Sequence, residues 1–183
     1  MNKYPEDVKA IAAAGHDLGN HSQNHKQMST LSSSQCIQEL QEPHEFIKEL
    51  TGVEMNLFRP PYGDYNDTLI EAAEECGYYT VQWDVDSLDW KDYGVNSIIK
   101  TVTEHKHLGN GSIILMHNGA KFTPEALDSV ITILKEKGYE LVPISELIIK
   151  QDYKMDHEGR QYSTVTPTPT PAAPSDNVGR KRE

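Results

Sequence analysis

"NLFRPPYGDYNDTLIEAAEECGYYTVQWDV", Asn56–Val85, reads as strand, loop, helix and strand in succession. "NLF" is a short extended run. It enters "RPPYG", where two prolines stiffen the chain and Gly63 permits a tight turn. "NDTLIEAAEECG" predicts a helix with Asn66 or Asp67 as N-cap and Gly77 as its stop. "YYTVQWDV" is rich in aromatic and β-branched residues and predicts the second strand. Strand, crossover helix and strand in one short span predict parallel pairing.

The same alternation extends both ways. Upstream, "YPEDVKAIAAAG" predicts a helix with Pro5 in its first turn and Gly15 as stop, and "HDLGNHS" predicts a short strand running into a loop. "SSSQCIQELQEPHEFIKELTG" is helical by its apolar spacing, with Pro43 expected to kink it or split it in two. Downstream come a helix, "VNSIIKTVTEH", and a buried strand, "SIILMH". A helix follows at "TPEALDSVITILKEKG", with Thr123 as cap and Pro124 at its first position, then the strand "YELVPI" and a short helix, "SELIIK". The pattern is α/β, built on a mainly parallel sheet that is either a barrel or doubly wound.

The 183 residues suit one domain. We set its end at residue 150, because a run such as "TVTPTPTPAAPSD" has no apolar periodicity, and residues 151–183 are expected to be a disordered Thr/Pro-rich tail. Acids and bases balance after residue 150, so the formal charge of −11 lies wholly in residues 1–150. An acidic body without a basic stripe argues against a nucleic-acid partner and reads as a solubility device. Cys36 and Cys76 fall in helical patterns and read as structural. No apolar run approaches a membrane span, and the first fifteen residues lack the basic end and apolar block of a signal peptide, so no export route is expected from this stretch.

Chemistry-bearing residues sit at successive strand ends, where α/β active sites gather. His21 and His25 in "HSQNH" offer two imidazole nitrogens suited to zinc or a similar ion, on one side if the segment makes a helical turn; the alternative is two solvated histidines. Arg59 of "RPPYG" has a fixed fork that can orient a carboxylate, or is a plain surface arginine. In "WDVDSLDW", Trp83 and Trp90 flank three aspartates, an arrangement suited to a sugar ring or to core packing. His117 ends an apolar strand, where a general acid or base is useful, although a satisfied core histidine fits equally.

In this order the four blocks resemble the polysaccharide deacetylase family, also called carbohydrate esterase family 4 or the NodB-homology domain. "HSQNH" is similar to its H-[ST]-x-x-H motif, "RPPYG" to its third motif, "WDVDSLDW" to its fourth and "LMH" to its fifth, over roughly residues 4–150. The fourth-motif region and "LMHNGAKFTPEAL" look most like peptidoglycan and sporulation-type deacetylases of Gram-positive bacteria. The resemblance implies a distorted (β/α) barrel and metal-dependent removal of N-acetyl groups from an amino-sugar polysaccharide such as peptidoglycan or a chitin-like polymer, at the cell envelope or outside the cell. It implies His21 and His25 as metal ligands, for zinc or alternatively cobalt or nickel. It gives Tyr62 an oxyanion-binding backbone N–H, His117 the role of general acid paired with Asp89, and Arg59 the orientation of the catalytic carboxylate. Trp83 and Leu115 line the acetyl pocket, and Pro60 belongs to the substrate-binding loop.

The family's T-F-D-D motif, which supplies the base and third metal ligand, is not spelled in the residues before His21. The barrel is therefore expected to be incomplete at its N-terminal side, and the activity weak or lost. A non-catalytic glycan-binding form, using Trp83, Tyr62 and "RPPYG", is the alternative, and a carboxylate borrowed from Asp64 or Asp84 is a third reading. The Thr/Pro run suits a wall-spanning linker or a plain disordered end. Oligomeric state has no signature in the sequence.

Overall fold

A computed structural model describes residues 3–165. The opening helix, α1 (Pro5–Ala13), starts on its proline as expected. A one-turn 3₁₀ segment (Met28–Thr30) precedes α2 (Ser33–Thr51). β1 (Leu57–Phe58), a 3₁₀ turn (Pro61–Gly63), α3 (Asp67–Glu75) and β2 (Tyr79–Thr80) follow. Next are β3 (Val85–Asp86), a 3₁₀ turn (Asp89–Lys91), α4 (Val95–Thr103), β4 (Ile114–Leu115), α5 (Thr123–Glu136) and α6 (Ile144–Leu147).

The central βαβ unit forms as the sequence predicts. β1 and β2 pair in parallel, Leu57 opposite Tyr79 and Phe58 opposite Thr80, and the Asn66 side chain caps α3 by accepting from the Leu69 N–H at 2.9 Å. The single strand expected over residues 78–85 is instead two. β2 pairs with β1, while β3 pairs with β4, Val85 opposite Ile114 and Asp86 opposite Leu115. Side chains cause the break: Gln82 donates to the Gly63 carbonyl (2.7 Å), and Asp84 accepts from Ser112 Oγ (3.0 Å) and Ile113 N–H (2.8 Å). The closed wall of a barrel is not formed among the described residues; the pieces are two short parallel pairs. "HDLGNHS" contributes only an isolated parallel bridge, Asn20 to Phe58, and "YELVPI" forms no strand, with Leu141 and Val142 exposed.

Pro43 neither splits nor ends α2, which runs unbroken through nineteen residues. A Ser32–Gln35 capping box starts it. Its apolar face meets Phe58, Leu69, Ala72 and Ala73 in one buried cluster with Met28, Cys36, Leu40 and Ile47. A second cluster joins Val85, Val102, Val130 and Leu134 beneath β3 and β4. Each large side chain buried this way stabilises the fold by roughly 1.5–3 kcal/mol, which is what holds such short strands in place. Cys36 and Cys76 are unpaired thiols, as their positions in helical patterns suggested.

Residues from Ile149 onward form a separate unit. The expected disordered tail is here corrected in part: Tyr153–Met155 (β5) and Gln161–Ser163 (β6) make an antiparallel hairpin. Its turn is closed by Asp156, which accepts from the N–H groups of Glu158 (2.9 Å) and Arg160 (3.0 Å). The Thr/Pro run itself lies outside the described residues.

Candidate active site

The His21–His25 segment is fixed to β1 at one end. Asn20 N–H donates to Leu57 O at 2.7 Å, and Arg59 N–H donates to Asn20 O at 2.9 Å. The buried Asn20 side chain donates to Leu40 O (2.8 Å) and Tyr78 Oη (2.9 Å) while accepting from Ser22 N–H (3.0 Å). Ser22 Oγ in turn accepts from His25 N–H at 2.9 Å. The segment is not a helical turn; Ser22 and His25 both adopt left-handed backbone angles. The imidazoles nevertheless meet edge to face with centroids 4.9 Å apart.

His21 Nδ1 lies 2.6 Å from the Arg59 carbonyl. A carbonyl only accepts, so Nδ1 carries the proton and Nε2 of the neutral ring keeps its lone pair, the arrangement of a metal-ligating histidine. The surrounding protein pushes the His21 pKa down, the Arg59 carbonyl pulls it up, and His25, Arg59 and His117 push it down further; the outcome is a lowered value that favours the ligating form. The pair fits a zinc-type ion as two of its ligands. No third His, Cys, Asp or Glu completes such a group among the described residues, whereas catalytic zinc usually takes three protein ligands.

Downstream of β1, the 3₁₀ turn holds Tyr62 in a left-handed conformation (φ 62°), 67% exposed, its ring edge-on to His25 at 4.7 Å. Gly63 is required here. Its φ is +67°, and a Cβ would stand 2.6 Å from the Trp83 ring. Trp83 is half-buried against this turn, with the Arg59 guanidinium 5.8 Å from its ring. Arg59 Nε is buried and donates to nothing among the described residues, an orphaned donor of the kind a carboxylate would satisfy. Pro60 is fully buried beneath the turn, and Leu115 is buried within β4, so both are walls rather than exposed contacts.

On the neighbouring pair, β3 and β4 end side by side, bringing Asp89 to His117. Asp89 is 0% exposed. Its Oδ1 lies 2.8 Å from His117 Nδ1; its Oδ2 accepts from His117 N–H at 2.8 Å and Thr123 Oγ at 2.7 Å. Burial pushes the Asp89 pKa up, but donors from His117, Thr123 and Ser87 outweigh it and hold the carboxyl below its ordinary range. Thr123 is therefore not the expected cap of α5; its hydroxyl is turned to Asp89. The His117 side chain is 42% exposed and lines a shallow cleft of about 250 Å³ with Trp90, Asp92, Asn118, Gly119 and Ala120.

Two contributors escape the sequence reading: Thr123, read there as a helix cap, and the buried Glu39 behind the histidine loop. Trp90, read as a sugar platform or a core residue, is 56% exposed and lines the cleft. The borrowed carboxylates are also corrected. Asp64 accepts from Gln27 and Ser29, and Asp84 from Ser112 and Ile113, so each ties two distant segments together, and neither joins the histidine pair in a three-ligand group among the described residues.

Two parallel strand ends carry a histidine pair, an arginine with an orphaned donor and an acid-held histidine. By its similarity to known proteins, this chain belongs to the polysaccharide deacetylase family. The family model "Polysaccharide deacetylase" matches residues 1–81. A peptidoglycan-N-acetylglucosamine deacetylase of Bacillus cereus is 35% identical over 153 residues, 81% of this chain and 70% of that protein. The peptidoglycan-N-acetylmuramic acid deacetylase PdaC of Bacillus subtilis is 33% identical over 79% of this chain and 30% of its own length. A solved structure of a family 4 pseudoenzyme from Bacillus anthracis superposes with a TM-score of 0.74 at 36% identity, over 80% of this chain and 51% of that one. The chain spans 30% to 70% of the length of the curated relatives it matches.

Proposed function

We propose that this domain acts on N-acetylated amino-sugar polysaccharide of the cell envelope, hydrolysing the acetamide to acetate and a free amine, on an arc of a distorted (β/α) barrel. The observation that carries the reading is His117: a solvent-facing imidazole that lines a cleft and is tied to a fully buried carboxylate. A zinc ion, or cobalt or nickel in its place, would be held by His21 and His25 and would supply Lewis-acid polarisation of the acetyl carbonyl. Asp89, ionised and buried, holds His117 with its distal nitrogen toward the cleft. As the C–N bond breaks, that nitrogen's proton passes to the departing amine, and the water oxygen stays on acetate. The Tyr62 backbone N–H is assigned to the oxyanion. Arg59 is assigned to the orientation of a base carboxylate.

Relatives named for N-acetylglucosamine and for N-acetylmuramic acid in peptidoglycan support that polymer as substrate. A second reading has its own support: the described residues give the pair no third ligand, and a structural neighbour is a pseudoenzyme. There the exposed Tyr62 and Trp90 would bind glycan without turnover. Acetate release from peptidoglycan and acetylated chitooligosaccharide, set against binding of the same glycans, separates the two. Turnover lost in His117→Ala supports the first; binding without turnover, both by the chain and by a form with a T-F-D-D segment joined ahead of it, supports the second.

A further inference from the structure

Pro43 sits in the middle of an unbroken helix, where its missing N–H leaves the Glu39 carbonyl without its partner four residues on. Glu39 is only 4% exposed, so that carbonyl needs another donor. It has one: Gln23 N–H at 3.0 Å, from between the two histidines. The next carbonyl, Leu40 O, accepts from Asn20 Nδ2 at 2.8 Å. The Glu39 side chain completes the grip, accepting from Asn24 N–H (2.8 Å), Asn24 Nδ2 (2.9 Å) and Lys26 Nζ (2.7 Å). Residues 20, 23, 24 and 26 are thus moored to one turn of α2, and the Gln23 bond uses a carbonyl left open because residue 43 cannot donate.

We infer that Pro43 and Glu39 are positioning residues for the His21–His25 pair: the proline releases a helix carbonyl to seat the loop, and the buried glutamate locks its far end. This rests on the reading of the two histidines as metal ligands. Left-handed angles at Ser22 and His25 make the loop costly to hold unaided, and the clamp supplies the restraint.

The test uses the 183-residue chain, unaltered and as Pro43→Ala, with zinc affinity by calorimetry, amide exchange by NMR and thermal melting. The substitution restores a backbone N–H that competes with Gln23 for the Glu39 carbonyl. Exchange at the Gln23 amide should rise by about ten-fold, and histidine-dependent zinc affinity should fall by about ten-fold or more. The melting temperature should hold or rise, because alanine suits a helix interior better than proline. A merely structural role would lower affinity and melting temperature together. Glu39→Ala should also weaken zinc, and Glu39→Gln, which keeps the shape and an acceptor, should recover most of it; this pair decides if Pro43→Ala fails to fold. Unchanged zinc affinity in both Pro43→Ala and Glu39→Ala overturns the proposal, as does an unchanged Gln23 amide in folded Pro43→Ala. If the unaltered chain binds no zinc through His21 and His25, the metal reading itself fails and the proposal falls with it. A faster Gln23 amide would then mark a structural clamp alone.

Discussion

Asp89 grips His117 twice, through the ring nitrogen and through the backbone N–H, each at 2.8 Å. One contact sets the ring's tautomer and direction, and the other pins the strand end that carries it. A single buried carboxylate therefore fixes both where the acid stands and where it points.

His117→Ala should reduce kcat far more than it changes KM, because proton donation matters in the transition state. The measurement uses the chain itself where it releases acetate, and otherwise a form with a T-F-D-D segment joined ahead of it. The expected loss is on the order of 10²–10⁴-fold. A modest fall in melting temperature should accompany it, because the buried Asp89 carboxylate loses one donor but keeps the His117 N–H and Thr123 Oγ. A collapse of stability with kcat per folded molecule intact would make His117 a packing residue instead.

Asp89 also predicts an acid limb in stability. Its folded pKa is depressed, so its contribution is fully present above the unfolded carboxylate value near 4 and is lost as pH falls through the folded value. Calorimetric melts between about pH 6 and pH 3 should show Asp89→Asn less stable than the unaltered chain at the upper end, by about 1–3 kcal/mol for the disturbed buried bonds. The difference should narrow as pH falls. Parallel curves would show that Asp89 is not ionised in the fold.

Zinc should bind this chain weakly, through two ligands, and His21→Ala or His25→Ala should each abolish the measurable heat. Tight stoichiometric binding that survives both substitutions would place the ion elsewhere.

Gly63→Ala should destabilise the domain by about 1–2 kcal/mol from the left-handed backbone alone, and further because the new Cβ meets the Trp83 ring. Trp83 fluorescence should shift with the melt, since this ring packs on the turn. An unmoved spectrum and melting temperature would contradict the contact.

Much of this was legible in the order of residues. The βαβ unit at Asn56–Val85 was readable because prolines, an Asn cap and a glycine stop act within a few residues of themselves. The site candidates His21, His25, Arg59 and His117 were readable because chemistry-bearing residues recur at strand ends. Pro43 misled: taken locally it is a helix breaker, yet its orphaned carbonyl is answered by Gln23, twenty positions away from the proline. Thr123 misled in the same way, since its nearest use is a cap and its actual partner is Asp89.

The sequence by itself determined the main helices and the parallel pairing of the central βαβ unit, and which polar residues stand near strand ends, because hydrophobic period and turn chemistry are local. Only the tertiary structure decided which carboxylates are taken. Asp64 ties the turn after β1 to Gln27 and Ser29, Asp84 ties the start of β3 to that of β4, Asp89 serves His117, and Glu39 serves the histidine loop, each through donors on a distant segment. A buried polar group must find a partner wherever the fold brings one, and that choice is made by packing rather than by neighbours along the chain.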